Sequence, residues 1–340
     1  MPFLRRALAS GAALAALAGG VALGGAPAVA QPRAALAHAS IHTAIADAQV
    51  VRDADGVYRL TWTADGPSRV TRVYASTDPA PRPAHRRLVE TTKGTSATVR
   101  GLDPIARWYF TLASGGRSET TAARTVTLDG VANSRDLGGY PADGGRRIRW
   151  GTVFRSARLT PATDTGKQQL AALGLREVVD FRSTAEATRE GLDPLPPEVS
   201  RIADPIGDPD QAVEPPPAPS GDPIADNYRL FVSNPNLRKQ FADGLLRAAD
   251  RGQRPLMFHC TGGNHRTGWM TVVLLKALGV PDSVVRQDYL LSPNTSDAYL
   301  NAAYDQIERD FGSFSAYLDS GLGIPPEKLS ALRASLLVRA

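Results

Sequence analysis

One cysteine, Cys260, occurs in the 340 residues, so no disulfide can close within the chain. Like charges never gather into a block although the formal net charge is +5, which argues against a nucleic-acid partner. A mild excess of this kind fits attraction of a phosphorylated ligand no better than it fits chance. Beyond the N-terminal segment no apolar run approaches the roughly 20 residues that span a bilayer, so no stable membrane insertion is expected. What is present is an ordinary globular balance, 42% apolar and 21% charged, in a chain long enough for two buried cores.

The N-terminus reads as an export signal. Arg5 and Arg6 precede an apolar run from Ala7 to about Leu23, and small residues end in Ala28-Val29-Ala30. Residues 1–30 are therefore expected to be a cleaved signal peptide and the mature protein to be secreted. Gly11, Gly19 and Gly20 interrupt the run and make a retained anchor the weaker reading. The arginine pair fits a twin-arginine signal poorly. In an exported chain a lone cysteine is either a small buried hydrophobe or a reactive group, and its neighbours decide which.

From about residue 42 to 129 the chain alternates with period two in short runs, 57–63 and 70–75 among them. Asp55-Gly56, Asp65-Gly66-Pro67 and Lys93-Gly94 mark turns, and 96–99 and 107–112 supply further strands. This predicts a small all-β sandwich. Val99-Arg100-Gly101-Leu102-Asp103-Pro104 before an aromatic strand, with Trp62 as the core tryptophan, resembles a fibronectin type III domain. Trp108 stands where that family usually has tyrosine. Such a module more often binds or spaces than catalyses, so contact with a cell surface or polymer is the partner expected of it.

The pattern changes from 131 to 340. Short apolar runs at 153–155, 178–181 and 256–259 alternate with helical stretches at about 164–173 and 266–278, each ending at a glycine, Gly174 and Gly279. The fold class expected is α/β, a mostly parallel central sheet flanked by helices and preceded by the sandwich. Residues 204–226, rich in Pro, Asp and Gly, read as a loop that is either a lid or an insertion.

The chemistry concentrates in His259-Cys260-Thr261-Gly262-Gly263-Asn264-His265-Arg266-Thr267-Gly268. A strand entering a glycine-containing loop and then a helix makes an anion site, with backbone N–H groups of Thr261, Gly262, Gly263 and Asn264 turned inward. Cys260 and Arg266, with five residues between them, add function. Arg266 can clamp two phosphate oxygens and stabilise transferred charge. The amides, the helix end and Arg266 favour the thiolate of Cys260, a nucleophile in line with bound phosphorus.

With its preceding strand and following Thr267-Gly268, this loop resembles the signature of the protein tyrosine phosphatase superfamily. Asn133-Ser134-Arg135-Asp136-Leu137-Gly138-Gly139, then Phe154-Arg155-Ser156, then Val179-Asp180-Phe181-Arg182-Ser183 and Glu186, extend the resemblance to a bacterial secreted tyrosine and lipid phosphatase family over more than half the chain. The resemblance implies that His259 supports the loop, and that Thr267 aids the thiolate and phosphoenzyme hydrolysis. It also places Arg155, as a substrate contact, and Asp180, as a catalytic group, near the pocket. Their bland alternative is a buried ion pair joining strands. Members often carry Lys-Asp before the arginine, where this chain has Asn264 and His265. His265, expected to keep its proton beside phosphate, is then the proton donor or a phosphate ligand, and Asp204, Asp208, Asp210, Asp222 and Asp226 are alternative acids. A Gly-x-His-Arg-Thr-Gly ending is shared with atypical dual-specificity phosphatases acting on inositol pyrophosphates, whereas the missing lysine favours phosphotyrosine-type monoesters.

The expectation is a cysteine-dependent phosphatase of phosphotyrosine, with phosphoserine/threonine or phosphoinositide monoesters also in range, requiring no cofactor or metal. The competing readings are a phospho-ligand binder without turnover and a surface-binding protein acting through its sandwich.

Overall fold

The computed structural model describes residues 44–65, 70–208 and 220–339. The expected signal peptide, Asp210 and most of the Pro-rich stretch lie outside them. Residues Ile41–Ala340 form one compact unit. Among the described residues no helix is long and apolar enough to cross a membrane.

The first third is antiparallel. Strands β1 (Ala44–Arg52), β2 (Tyr58–Asp65) and β5 (Ser96–Val99) form one sheet in the order β1-β2-β5. Strands β3 (Thr71–Ser76), β4 (Arg87–Thr92), β6 (Tyr109–Ser114) and β7 (Arg117–Ala122) form the other, ordered β4-β3-β6-β7. Alternate residues share a strand face, and Leu60, Trp62, Val73, Ala75, Phe110 and Leu112 supply the common core. Trp108 donates its indole N–H to the Asp103 carbonyl, 2.9 Å away.

The remainder is built on a five-stranded sheet ordered β13-β12-β14-β11-β8. Its members are β8 (Arg135–Asp136), β11 (Val153–Ser156), β12 (Glu177–Asp180), β13 (Ser200–Ala203) and β14 (Leu256–His259). β13, β12, β14 and β11 pair in parallel, and β8 joins the edge antiparallel. Short strands β9 (Pro141–Ala142), β10 (Arg146–Ile148) and β15 (Leu337–Arg339) make a separate sheet. β14 is central and buried at every position, which explains its unbroken apolar run before His259.

Helices α1 (Asp164–Ala172) and α2 (Thr184–Glu190) flank β12 in sequence; α3 (Pro223–Ser233) and α4 (Pro235–Ala249) precede β14. α5 (Arg266–Ala277) leaves the loop after β14; α6 (Asp282–Leu290) packs against it, and α7 (Asp297–Phe311) packs chiefly against α3. α5 is buried at every position but Arg266 and Lys276 and carries Trp269, Met270, Val273, Leu274 and Leu275 into the core. The Pro-rich stretch ends sooner than its composition suggests. Asp222 caps α3 through the N–H of Ile224, and Pro223 takes the first helical position, where its missing N–H costs nothing.

The two parts share buried polar contacts. Arg107, at the start of the β6 region, pairs with Asp136 at 3.3 Å, and Trp150 donates to the Thr120 carbonyl at 3.1 Å. In a parallel sheet ligands meet the loops at the carboxyl strand ends. Here those loops follow β11, β12, β13 and β14, and the signature residues sit in the last of them.

Candidate active site

Cys260 is the first residue after β14 and is 3% exposed; Arg266 opens α5. Between them Gly263 takes φ +69°, and a Cβ there would stand 2.5 Å from the Ser156 carbonyl oxygen. Only glycine lets the loop turn against β11 at that distance. Gly263→Ala is therefore expected to lower phosphatase activity at least about tenfold through loop displacement. Steady-state rates alongside a thermal melt would check it.

The loop's outward carbonyls are held from behind. Arg155 is fully buried and donates to the Gly263 carbonyl and to Ser292 Oγ. Its counter-ion is Asp288, 3.3 Å away, which Arg135 and Tyr140 also engage. Burial, then Arg135, pulls the Arg155 pKa down to about 10, which still leaves it charged at neutral pH. Burial alone would raise the Asp288 carboxyl, but Arg155 and Arg135 hold it below the ordinary range. Asn133 donates to the Gly262 carbonyl at 3.1 Å and to Asn264 Oδ1 at 2.9 Å, so the Asn264 side chain is engaged within the loop's support. Nothing in the sequence pointed to Asp288 or Ser292, which lie over 130 residues from Arg155.

Arg266 is fixed by a carboxylate. Glu186 accepts from Arg266 Nη1 at 2.5 Å and Nη2 at 2.8 Å, and from Thr261 Oγ1 at 2.9 Å. Arg266 Nη1 also donates to the carbonyls of Phe181 and Ile206. Glu186 is itself anchored, because with Ser183 it forms the capping box that starts α2. Burial raises the Glu186 carboxyl, but the hydrogen bond and charge of Arg266 outweigh it and take the pKa down to about 2. Conversely, Glu186 more than offsets the burial of Arg266 and holds its pKa above the ordinary value.

Beneath the loop lies a second ionic cluster. His259 is fully buried, with Nε2 3.1 Å from Asp193 Oδ2 and 3.7 Å from Asp180 Oδ1. Arg182 donates to Asp180 at 2.7 Å and to Asp193 at 3.0 Å. Asp180 and Arg155 thus do not pair with each other; each has its own buried partner, Arg182 and Asp288. Among the described residues Asp180, Asp193 and His259 are the one set spaced to hold a metal ion. The Arg182 guanidinium already supplies a cation to both carboxylates there. Thr267 is fully buried at the start of α5, and its Oγ1 has no hydrogen-bond partner.

A cavity of about 400 Å³ opens beside the loop, lined by Glu186, His265 and Arg266 and by apolar side chains including Ile224, Leu230 and Phe231. His265 Nδ1 lies 3.4 Å from the Tyr228 hydroxyl. Burial, then the charge of Arg266, pulls the His265 pKa below its ordinary value, opposite to the expectation for a histidine beside phosphate. The difference is physical: burial disfavours the charged imidazolium, and the neighbouring Arg266 charge adds to that.

The loop aspartates are placed elsewhere. Asp208 accepts from the N–H and hydroxyl of Thr184, Asp222 caps α3, and Asp226 is bound by Ser220 and Arg229. Asp204 is buried beside α4, with Oδ2 unpartnered; burial, then Asp243, pushes its pKa up to about 7. A carboxyl raised on folding costs stability as pH rises from its unfolded pKa, near 4, to its folded one. Asp204→Asn should therefore match the parent near pH 4 and exceed it by about 2–4 kcal/mol above pH 8. Denaturant melts at the two pH values would show this.

The model of the tyrosine phosphatase family matches residues 126–338, more than half of the chain. A Cupriavidus necator protein named as a tyrosine-protein phosphatase is 33% identical over 221 residues, covering 62% of this chain and 76% of that one. The triple specificity protein phosphatase PtpB of Mycobacterium tuberculosis is 26% identical over 245 residues, covering 62% and 87%. The solved catalytic core of Siw14 aligns over 59% of this chain and 96% of its own, at 11% identity and a TM-score of 0.32. The protein is a phosphatase, a hydrolase by class. The chain belongs to the tyrosine phosphatase family.

Proposed function

We propose that this phosphatase hydrolyses phosphotyrosine-type monoesters through a cysteinyl-phosphate on Cys260, with phosphoserine/threonine and phosphoinositide esters as further substrates. The observation that carries the reading is Cys260 at the mouth of β14, facing the start of a helix whose first residue, Arg266, is locked by Glu186. The Cys260 sulfur attacks phosphorus as the ester P–O bond breaks, and the leaving oxygen takes a proton. Water then attacks phosphorus, the S–P bond breaks, and inorganic phosphate leaves. Arg266 and the loop amides bear the equatorial charge throughout. The unpartnered Thr267 hydroxyl is suited to the sulfur as it is released.

His265 is the proton donor in this reading. Of the titratable cavity-lining groups, Glu186 stays ionised down to about pH 2 and Arg266 does not give up its proton. His265 is left, and a bound phosphate dianion would raise its pKa against the burial and the Arg266 charge that lower it. The apolar walls beside Arg266 favour a substrate with one phosphate on an aryl or similarly apolar body. The name triple specificity carried by the mycobacterial relative supports the wider substrate range.

Residues 1–30 are proposed to direct export and then be removed, leaving an extracellular enzyme. Residues 42–129 are proposed to be a fibronectin type III-like module that contacts a surface or polymer. Its three-plus-four strand order and the Trp108–Asp103 bond, standing in for a tyrosine corner, support this.

The test is a pH–rate series on phosphate esters of good and poor leaving groups with the parent and His265→Ala. Loss of the acid should cost a poor leaving group about 10²-fold and a good one only a few-fold. Equal losses would assign His265 to binding. Saturable phosphate binding without product would favour a ligand-binding protein instead.

A further inference from the structure

Aromatic side chains from three helices gather beside His265, and two of them contact its ring. Tyr228 of α3 is fully buried, with its hydroxyl 3.4 Å from His265 Nδ1. Tyr289 of α6, 1% exposed, donates to that same hydroxyl at 2.8 Å. Tyr299 of α7 stacks on Tyr228 and meets the imidazole edge-on, both with ring centroids 6.1 Å apart. Gly268 leaves room for the hydroxyl pair, since even a Cβ there would lie 3.7 Å from the Tyr228 oxygen. The charged or titratable groups around the Tyr228–His265 pair are Arg155, Arg266, Cys260, Tyr289 and Tyr299.

We propose that Tyr228 is a positioning residue for phosphoryl transfer: its hydroxyl engages His265 Nδ1, fixes the ring, and reserves Nε2 for the leaving oxygen. This rests on His265 being the proton donor. A buried partner on one ring nitrogen sets the role of the other. Burial, then Tyr289, holds Tyr228 well above its ordinary pKa, so it remains a neutral phenol and stores no proton itself. With substrate bound, His265 carries both protons: Nδ1–H donates to the Tyr228 oxygen, and the Nε2 proton passes to the leaving oxygen as P–O breaks. Nδ1–H stays on Tyr228, so the bare Nε2 then takes a proton from the water that displaces Cys260 from phosphorus. The same nitrogen serves both half-reactions, and the ring need not turn between them.

Tyr228→Phe removes the hydroxyl and keeps the ring. It is expected to lower kcat for a poor leaving group about tenfold, with KM and the rate for a good leaving group within about twofold of the parent. In a His265→Ala background it should cost nothing more, because its effect passes through that ring. Nitrogen-15 spectra of the histidines should show His265 losing its single tautomer in the variant. Tyr289→Phe touches no atom of His265 and should give the same leaving-group pattern at about threefold size. Losses that multiply in the double variant, or that are equal for both leaving groups in Tyr228→Phe, overturn the proposal. If His265→Ala alone loses both substrates equally, the donor assignment itself fails, and that result is distinct from the first.

Discussion

Cys260→Ser is expected to keep the fold and lose aryl-phosphate hydrolysis by about 10⁴-fold or more. The site is 3% exposed and its neighbours are packed, so the smaller hydroxyl fits without rearrangement. What changes is the nucleophile: an alcohol at this position stays protonated at neutral pH unless a base takes its proton. The buried His259, the nearest candidate in sequence, has Nε2 turned to Asp193 and Asp180. Activity of the parent should survive a metal chelator, because Arg266 and the loop amides carry the phosphate charge. Rates measured with and without chelator, together with matching thermal melts of the two proteins, check both statements.

The second large effect is expected at Glu186, which does not touch the reacting atoms. Glu186→Gln should lower kcat/KM by about 10²-fold, the cost of misaligning one essential charge. Gln can still complete the capping box, so α2 and overall stability should change by less than about 1 kcal/mol. Yet a neutral amide cannot accept both guanidinium nitrogens and the Thr261 hydroxyl as the carboxylate does. Arg266 would then be held by the Phe181 and Ile206 carbonyls alone. The pH dependence follows the same logic. A carboxyl depressed to about 2 contributes stability that is complete above its unfolded pKa, near 4.5, and is lost only as pH falls through 2. Glu186 therefore sets no limb of the parent's rate near neutrality, and a fall in rate as pH rises there belongs to His265, which must hold its proton to donate it.

Much of the site was legible because it is local. The strand, glycine loop and helix start of 256–268 are consecutive, and their residue types carry their own geometry. Glu186 was readable as part of the family resemblance, though not its capping box with Ser183. Its other task, clamping Arg266, was not readable either, because eighty residues separate the two and only the parallel order of β12 beside β14 brings them together. The same holds for Arg155. A buried arginine near a phosphate loop suggests a substrate contact, but its partners are Asp288 and the Gly263 carbonyl on the far side. The aspartates of 204–226 looked interchangeable as acids. Their backbone context separates them, with Asp222 and Asp208 spent on N–H groups at helix starts and Asp204 facing α4. No sequence pattern pointed to Tyr228, whose hydroxyl meets His265 only after α3 packs against α7 and α5.

The central claim is that phosphate passes through sulfur. The most direct measurement is mass analysis of acid-quenched enzyme during turnover of an activated aryl phosphate, followed by peptide mapping. The account predicts one phosphoryl group per chain, on the peptide containing Cys260, appearing within the first turnover and decaying when substrate is exhausted. Full-rate turnover with no adduct on that peptide, and undiminished activity in Cys260→Ser, would contradict it.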